Sequence, residues 1–420
     1  MSDSYFQRFA FCERQILARP ATDLGLVVVI PCFNEPDLLA SLSSLWQCQR
    51  PGCAVEVIVV INSAINSNAE IRAQNLRTLE QARAWVAEHF DPRLAFHVLH
   101  FPDLAAKKAG VGLARKIGMD EAARRFDEIR CPLGVIAGFD ADCRCEANYL
   151  VSIEQHFQNR PQPHGCSIYF EHPLHTDGGP IDEAIAAYEL HLRYYLQALR
   201  YAGFPYAHHT LGSCMAVRAD IYKAQGGMNT RRAGEDFYFL QKIIPLGQFS
   251  DLTQTTVIPS ARPSERVPFG TGKAVRDYLN HPDQQSRTYP LQAFVDLKHL
   301  FQHWPELFSR QDSRKTAFSQ MPKSLGTFLQ GEEVETSLEE IGQNSASERT
   351  RRNRFFHWFN GFRTMKFIHH ARDDYYGAKY ISEEARSLLL LKEIKVPGQA
   401  SVRELLNIYR RLERELRQKS

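Results

Sequence analysis

The chain has 420 residues, too many for one small domain and enough for one large catalytic domain with an appendage. Lys plus Arg is 51 and Asp plus Glu is 48, and the net of +3 argues against a protein whose main business is coating nucleic acid. Hydrophobic residues at 44% and aromatics at 11% exclude wholesale disorder, and the longest apolar runs, 24–30 and 57–61, fall far short of the ~20 residues that span a bilayer. The first eleven residues mix polar and aromatic side chains with no basic-then-apolar leader, so the expectation is a cytoplasmic protein. The nine cysteines agree: they are odd in number, lie between Cys12 and Cys214, and lack the repeated C-x2-C spacing of a zinc site. Buried thiols in a reducing compartment are expected.

The first half alternates strands and helices. Residues 26–30 are β-branched and continuous, as in a strand buried on both faces. Pro31 stops that strand, and a helix follows through Leu38, Leu39, Leu42 and Leu45. Strands are predicted over 55–61 and 94–99, separated by a long polar helix over 66–90. A helix over 109–126 leads to a fourth strand over 133–139. This spacing implies parallel strands, with ligands gathered at their carboxyl ends. Beyond residue 160 the pattern is mixed: strands over 166–170 and 213–217, helices over 181–201 and 235–244, and an Arg/Pro/Gly-rich loop over 262–273. From about 285 only helices are predicted, interrupted by a polar stretch at 331–349 that reads as a loop or linker. The division expected is therefore 1–285 as a catalytic domain and 286–420 as a helical C-terminal region.

Four short segments carry candidate chemistry, and each has a plainer explanation. Asp140-Ala141-Asp142 follows a predicted buried strand, where two carboxylates can share a divalent ion that neutralises a diphosphate; a solvated turn would look the same. Gly234-Glu235-Asp236 opens a helix whose dipole favours ionised carboxylates, which suits a general base and equally suits ordinary capping. Lys107 and Lys108 precede the helix containing Gly112, Ala114, Arg115 and Gly118; cations there oppose the dipole unless an anion compensates them. Arg262, Arg266 and Lys273 mark a loop that makes a poor core and a plausible closure over an anion, and it lacks Walker A spacing. His172, His175, His208-His209 and His369-His370 offer a third metal ligand or simple packing, the latter especially for His369 in its aromatic stretch.

In this order, the set resembles the family 2 glycosyltransferases. The matching pieces run from Val29-Ile30-Pro31-Cys32-Phe33-Asn34-Glu35 through Gly112-x-Ala114-Arg115-x-x-Gly118 and Asp140-Ala141-Asp142. They continue with Gly212-Ser213-x-Met215-Ala216-Val217-Arg218, Gly226-Gly227-Met228 and Gly234-Glu235-Asp236, and cover roughly residues 24 to 250. The resemblance implies a GT-A fold: a Rossmann-like α/β architecture, mostly parallel sheet flanked by helices, here with a helical C-terminal extension. It implies transfer of a sugar from a nucleotide-sugar donor to an acceptor hydroxyl, assisted by Mn²⁺ or Mg²⁺. Carried over by position, Pro31 and Glu35 lie at the nucleotide, Arg115 supports base or ribose, Asp140 approaches ribose or metal, and Asp142 holds the metal. If transfer inverts the anomeric centre, Asp236 is then the base and Glu235 orients the acceptor; a retaining outcome stays open. Asn62 stands where the family has an acidic residue reading the base, which leaves the base open. Pro31, Glu35, Asn62, Arg115 and Asp140, with Lys108, Arg262, Arg266 and Lys273, form the expected donor site.

The Gln-x-x-Arg-Trp signature of processive synthases is missing and no membrane helices follow, so a soluble enzyme adding one sugar is expected, with peripheral membrane contact left open. The acceptor is equally open among small molecules, lipid-linked compounds and polysaccharide precursors. The helical tail is a candidate for homodimer formation. The rival readings are a sugar nucleotidyltransferase and a non-catalytic nucleotide-sugar-binding protein. The first usually has a Gly-rich loop after its first strand, and Pro31–Pro36 contains no glycine; the presence together of Asp140, Asp142, Glu235 and Asp236 speaks against the second.

Overall fold

A computed structural model describes residues 3–159, 163–176, 178–264, 270–281, 286–309, 311–330 and 332–415. The chain forms two compact units. The first comprises 1–173, 208–273 and 414–420; the second comprises 174–207 and 274–413. Composition suggests one cut near 285, whereas the second unit also takes in a helical segment from the middle of the chain.

The first unit is an α/β fold. Its strands are β1 (Leu24–Cys32), β2 (Ala54–Ala64), β3 (Leu94–Leu104), β4 (Val135–Gly138), β5 (Arg144–Cys145), β6 (Gly165–Phe170), β7 (Met215–Arg218) and β8 (Phe249–Ile258). They lie in the order β3-β2-β1-β4-β7-β6-β8-β5. Pairings among β3, β2, β1 and β4 are parallel, as is β6 with β8; β7 runs antiparallel to β4 and β6, and β5 antiparallel to β8. β1 and β2 are buried almost throughout, which explains their unbroken apolar sequences. In the mixed half β4, β5 and β7 are only two to four residues long, and their pairing direction leaves no mark in the sequence.

Around this sheet run α1 (Asp3–Phe9), α2 (Leu38–Trp46), α3 (Ala69–Glu88), α4 (Val111–Glu128), α5 (Tyr149–Asn159), α7 (Ala219–Ala224) and α8 (Glu235–Ile243), with α6 (Pro180–Ala202) in the second unit. Helix α4 is buried along most of its length. Its close seat on the sheet needs Gly118, because a Cβ there would lie 2.4 Å from Val29 Cγ1. Gly112 serves the same purpose at the helix start, where a Cβ would meet the Arg231 carbonyl oxygen at 2.1 Å. The outer side of α4 carries the N-terminal segment. Asp120 accepts hydrogen bonds from Tyr5 Oη (2.8 Å) and Tyr222 Oη (2.7 Å), and Glu121 accepts from the backbone N–H of Gln15 (3.1 Å) and Ile16 (2.8 Å).

The second unit is helical, with one short antiparallel pair, β9 (Arg287–Thr288) and β10 (Lys379–Tyr380), that the helix-only expectation does not include. Its core gathers Leu190 and Tyr194 of α6 with Phe294, Leu297, Phe367, Leu388 and Leu405 from later helices. Arg193 is fully buried there and neutralised by Glu189 and Glu413. The stretch 331–349 is not the loop its polarity suggests: Glu332–Gln343 is a helix and the next begins at Glu348. Val334, Leu338 and Ile341 recur at helical spacing and are buried, so a thin apolar stripe suffices to seat an acidic helix.

Candidate active site

The carboxyl ends of the parallel strands bring several expected residues together. Pro31 does not stop β1 as expected: it lies within the strand opposite Val60 of β2, and the strand runs on to Cys32, after which Asn34 turns the backbone with φ of 48°, a left-handed geometry that Asn tolerates. Its N–H donates to Asn75 Oδ1 at 2.8 Å. Glu35 is fully buried; its carboxylate accepts from the Asp37 N–H at 2.9 Å and from Arg262 Nη2 at 2.7 Å, while Arg262 Nη1 reaches Asp37 Oδ2 at 3.0 Å. Glu35 and Arg262, expected separately at the donor, are thus direct partners.

At the end of β2, Asn62 is 1% exposed. Its Nδ2 donates to the Gly110 carbonyl at 3.2 Å, which fixes the amide orientation because that carbonyl can only accept. Asn62 Oδ1 has no hydrogen-bond partner among the described residues. A buried acceptor left in this state costs free energy unless a ligand supplies a donor.

At the end of β4, Asp140 Oδ1 accepts from Arg115 Nη2 at 2.7 Å, and Asp142 is half-buried two residues on. The turn between them is held from below by Ser41 of α2, whose hydroxyl lies 2.8 Å from the Ala141 carbonyl and 2.7 Å from that of Cys143. The sequence does not single out Ser41, although a serine on the buried stripe of Leu38, Leu42 and Leu45 is the available signal.

Helix α8 begins after Gly234, which takes a left-handed φ of 69°. Glu235 is 3% exposed and pairs with Arg115 Nη1. Burial pushes its carboxyl up to about 7, against the pull of that guanidinium. Asp236, half-buried, accepts from the Gly212 N–H through Oδ2 at 2.8 Å and from the Phe237 N–H through Oδ1 at 2.8 Å. These two backbone donors fix the orientation of its carboxylate.

Arg115 is therefore the junction: 2% exposed, it joins Asp140 to Glu235. Burial alone would lower its pKa, but Glu235, Asp140 and Asp236 raise it. Lys108 is exposed and forms no ion pair among the described residues; Lys273 is half-buried in the first turn of α9 (Thr271–Asn280). Arg266 lies outside the described residues. Among the described residues no group of three or more His, Cys, Asp and Glu side chains is placed to hold a metal. The paired histidines have other partners: His208 meets Asp251 at 2.9 Å, and His369 accepts or donates at Tyr289 Oη at 2.9 Å. None of the nine cysteines is in a disulfide.

No family model and no curated protein matches the chain. Among solved structures, it is similar to S. aureus TarS 1-349 in complex with UDP-GlcNAc, at 16% identity and a TM-score of 0.41, over 81% of this chain and 92% of that one. It is also similar to the mannosyltransferase PcManGT from Pyrobaculum calidifontis in complex with GDP-Man and Mn²⁺, at 14% identity and a TM-score of 0.38, over 88% and 91%. Likeness this distant carries no functional argument, and the site's own chemistry has to. No helix among the described residues is long and apolar enough to cross a membrane.

Proposed function

We propose that the chain is a glycosyltransferase that moves a single sugar from a nucleotide-sugar donor to an acceptor hydroxyl, with inversion. One observation carries this reading: at the carboxyl edge of the parallel strands, the strand-end carboxylate Asp140 and the α8 carboxylates Glu235 and Asp236 form one network through Arg115 and Gly212. That pairs a phosphate-side acidic site with a group placed to act as base, the two functions such a transfer needs.

Asn62 Oδ1, buried and without a hydrogen-bond partner among the described residues, is the acceptor for an N–H of the donor's base, and Glu35 with Arg262 lines the nucleotide side. Asp140 and Asp142 would hold a Mg²⁺ or Mn²⁺ of the kind bound by one or two carboxylates with substrate phosphates and water. When bound, that ion supplies charge neutralisation for the departing nucleoside diphosphate. Asp236 takes the acceptor's proton, and Glu235, held by Arg115, orients the acceptor by hydrogen bonding. Departure of the diphosphate builds negative charge that Arg262 and Lys273 stabilise.

Asp142→Ala should abolish Mn²⁺-stimulated donor hydrolysis and transfer. Metal-independent turnover at the wild-type rate in that variant would contradict the assignment.

A further inference from the structure

Arg115 spends neither terminal nitrogen on a position open to a ligand. It is 2% exposed, and its Nε has no acceptor among the described residues. Nη2 is committed to Asp140 and Nη1 to Glu235, groups that come from the end of β4 and the start of α8. Burying a guanidinium is costly unless it is neutralised, and here two carboxylates neutralise it. The planar fork fixes the angle between its two partners, which a flexible ammonium does not. A third element leans on the same group: a Cβ at Gly212 would lie 2.5 Å from Arg115 Nη1. The N–H of Gly212 in turn holds Asp236.

We propose that Arg115 is a positioning residue whose buried guanidinium sets the spacing between Asp140 on the donor side and Glu235 and Asp236 on the acceptor side. This rests on the glycosyltransferase reading. Through the two terminal nitrogens of the guanidinium a displacement of Asp140 moves Glu235, and through the packing against Gly212 it moves the backbone N–H that aims Asp236. The resemblance places Arg115 against base or ribose; the observed partners give it a role that acts through other residues. Loss of this spacing harms the chemical step more than nucleotide binding, because reacting groups tolerate little misplacement.

The test is a comparison of wild-type protein with Arg115→Lys, which keeps the charge and loses the fork. Nucleoside diphosphate affinity is measured by calorimetry with Mn²⁺, and kcat and KM are measured with the nucleotide sugar. The expected result is affinity within about threefold of wild type and kcat lower by at least ~10-fold. Wild-type kcat in the variant overturns the proposal, as does a loss confined to donor affinity, which would make Arg115 a donor contact. Gly212→Ala covers the case in which Arg115→Lys does not fold, since it leaves every charge and pushes a methyl group against Nη1. It should show the same kcat-selective loss, and a folded Gly212→Ala with wild-type kcat also overturns the proposal. A wild-type protein that turns over no nucleotide sugar removes the glycosyltransferase reading itself, whereas normal turnover in the variants removes the positioning role alone.

Discussion

At Glu235 two forces oppose each other, and their balance has a measurable consequence. Burial favours the neutral acid and Arg115 favours the carboxylate; burial wins, and the carboxyl titrates at about 7 instead of its ordinary 4.5. A folded-state pKa raised above the unfolded value means that the native state holds the proton longer. The associated stability is fully present below pH 4.5 and is lost as pH rises through 7. Urea unfolding between pH 4.5 and 8 should therefore show wild-type stability falling more steeply across this window than that of Glu235→Gln. Parallel curves would contradict the raised value. Asp140, Glu235 and Asp236 were legible as candidates from their places at a strand end and a helix start. Their shared partner was not, because Arg115 and Glu235 are 120 positions apart and no local pattern marks an ion pair of that separation. Ser41 was hidden for a similar reason: its acceptors are carbonyls about a hundred residues away.

Among the elements, α4 organises the most. It follows β3, lies against β1 and β2 through Gly118, and carries Arg115 on one side and Asp120 and Glu121 on the other. The N-terminal segment covers that second side, so residues that read in sequence as an undistinguished mixed stretch complete the burial of a helix bearing part of the site. Glu121→Ala would leave the Gln15 and Ile16 N–H groups without their acceptor, and unfolding should show a loss of about 1–3 kcal/mol, the usual cost of unsatisfied buried donors. An unchanged midpoint would mean that this segment contributes nothing to stability. The parallel strands were legible because double burial demands continuous β-branched residues. The helix Glu332–Gln343 was not, since charged residues outnumber its few core contacts and its stripe is only one residue wide per turn. Nor could sequence assign α6 to the helical unit: its partners begin near residue 291, and only contact reveals them.

Across the whole molecule, the near-neutral charge of +3 conceals strong local pairing. Acidic groups of the site meet Arg115 and Arg262, and the helical unit buries its own Arg193 between Glu189 and Glu413. The functional reading belongs to the first unit, which contains every described residue assigned to donor, metal or base. Its central claim is that a nucleotide sugar binds beside Asp140 and Asp142 and reacts through Asp236. The most direct test is calorimetric titration of wild-type protein and Asp236→Asn with a panel of nucleotide sugars and Mn²⁺, followed by turnover of whichever compounds bind. The account predicts that at least one nucleotide sugar binds both proteins with similar affinity, while transfer in Asp236→Asn falls by roughly two to four orders of magnitude. Failure of every nucleotide sugar to bind, or wild-type transfer by Asp236→Asn, would contradict it.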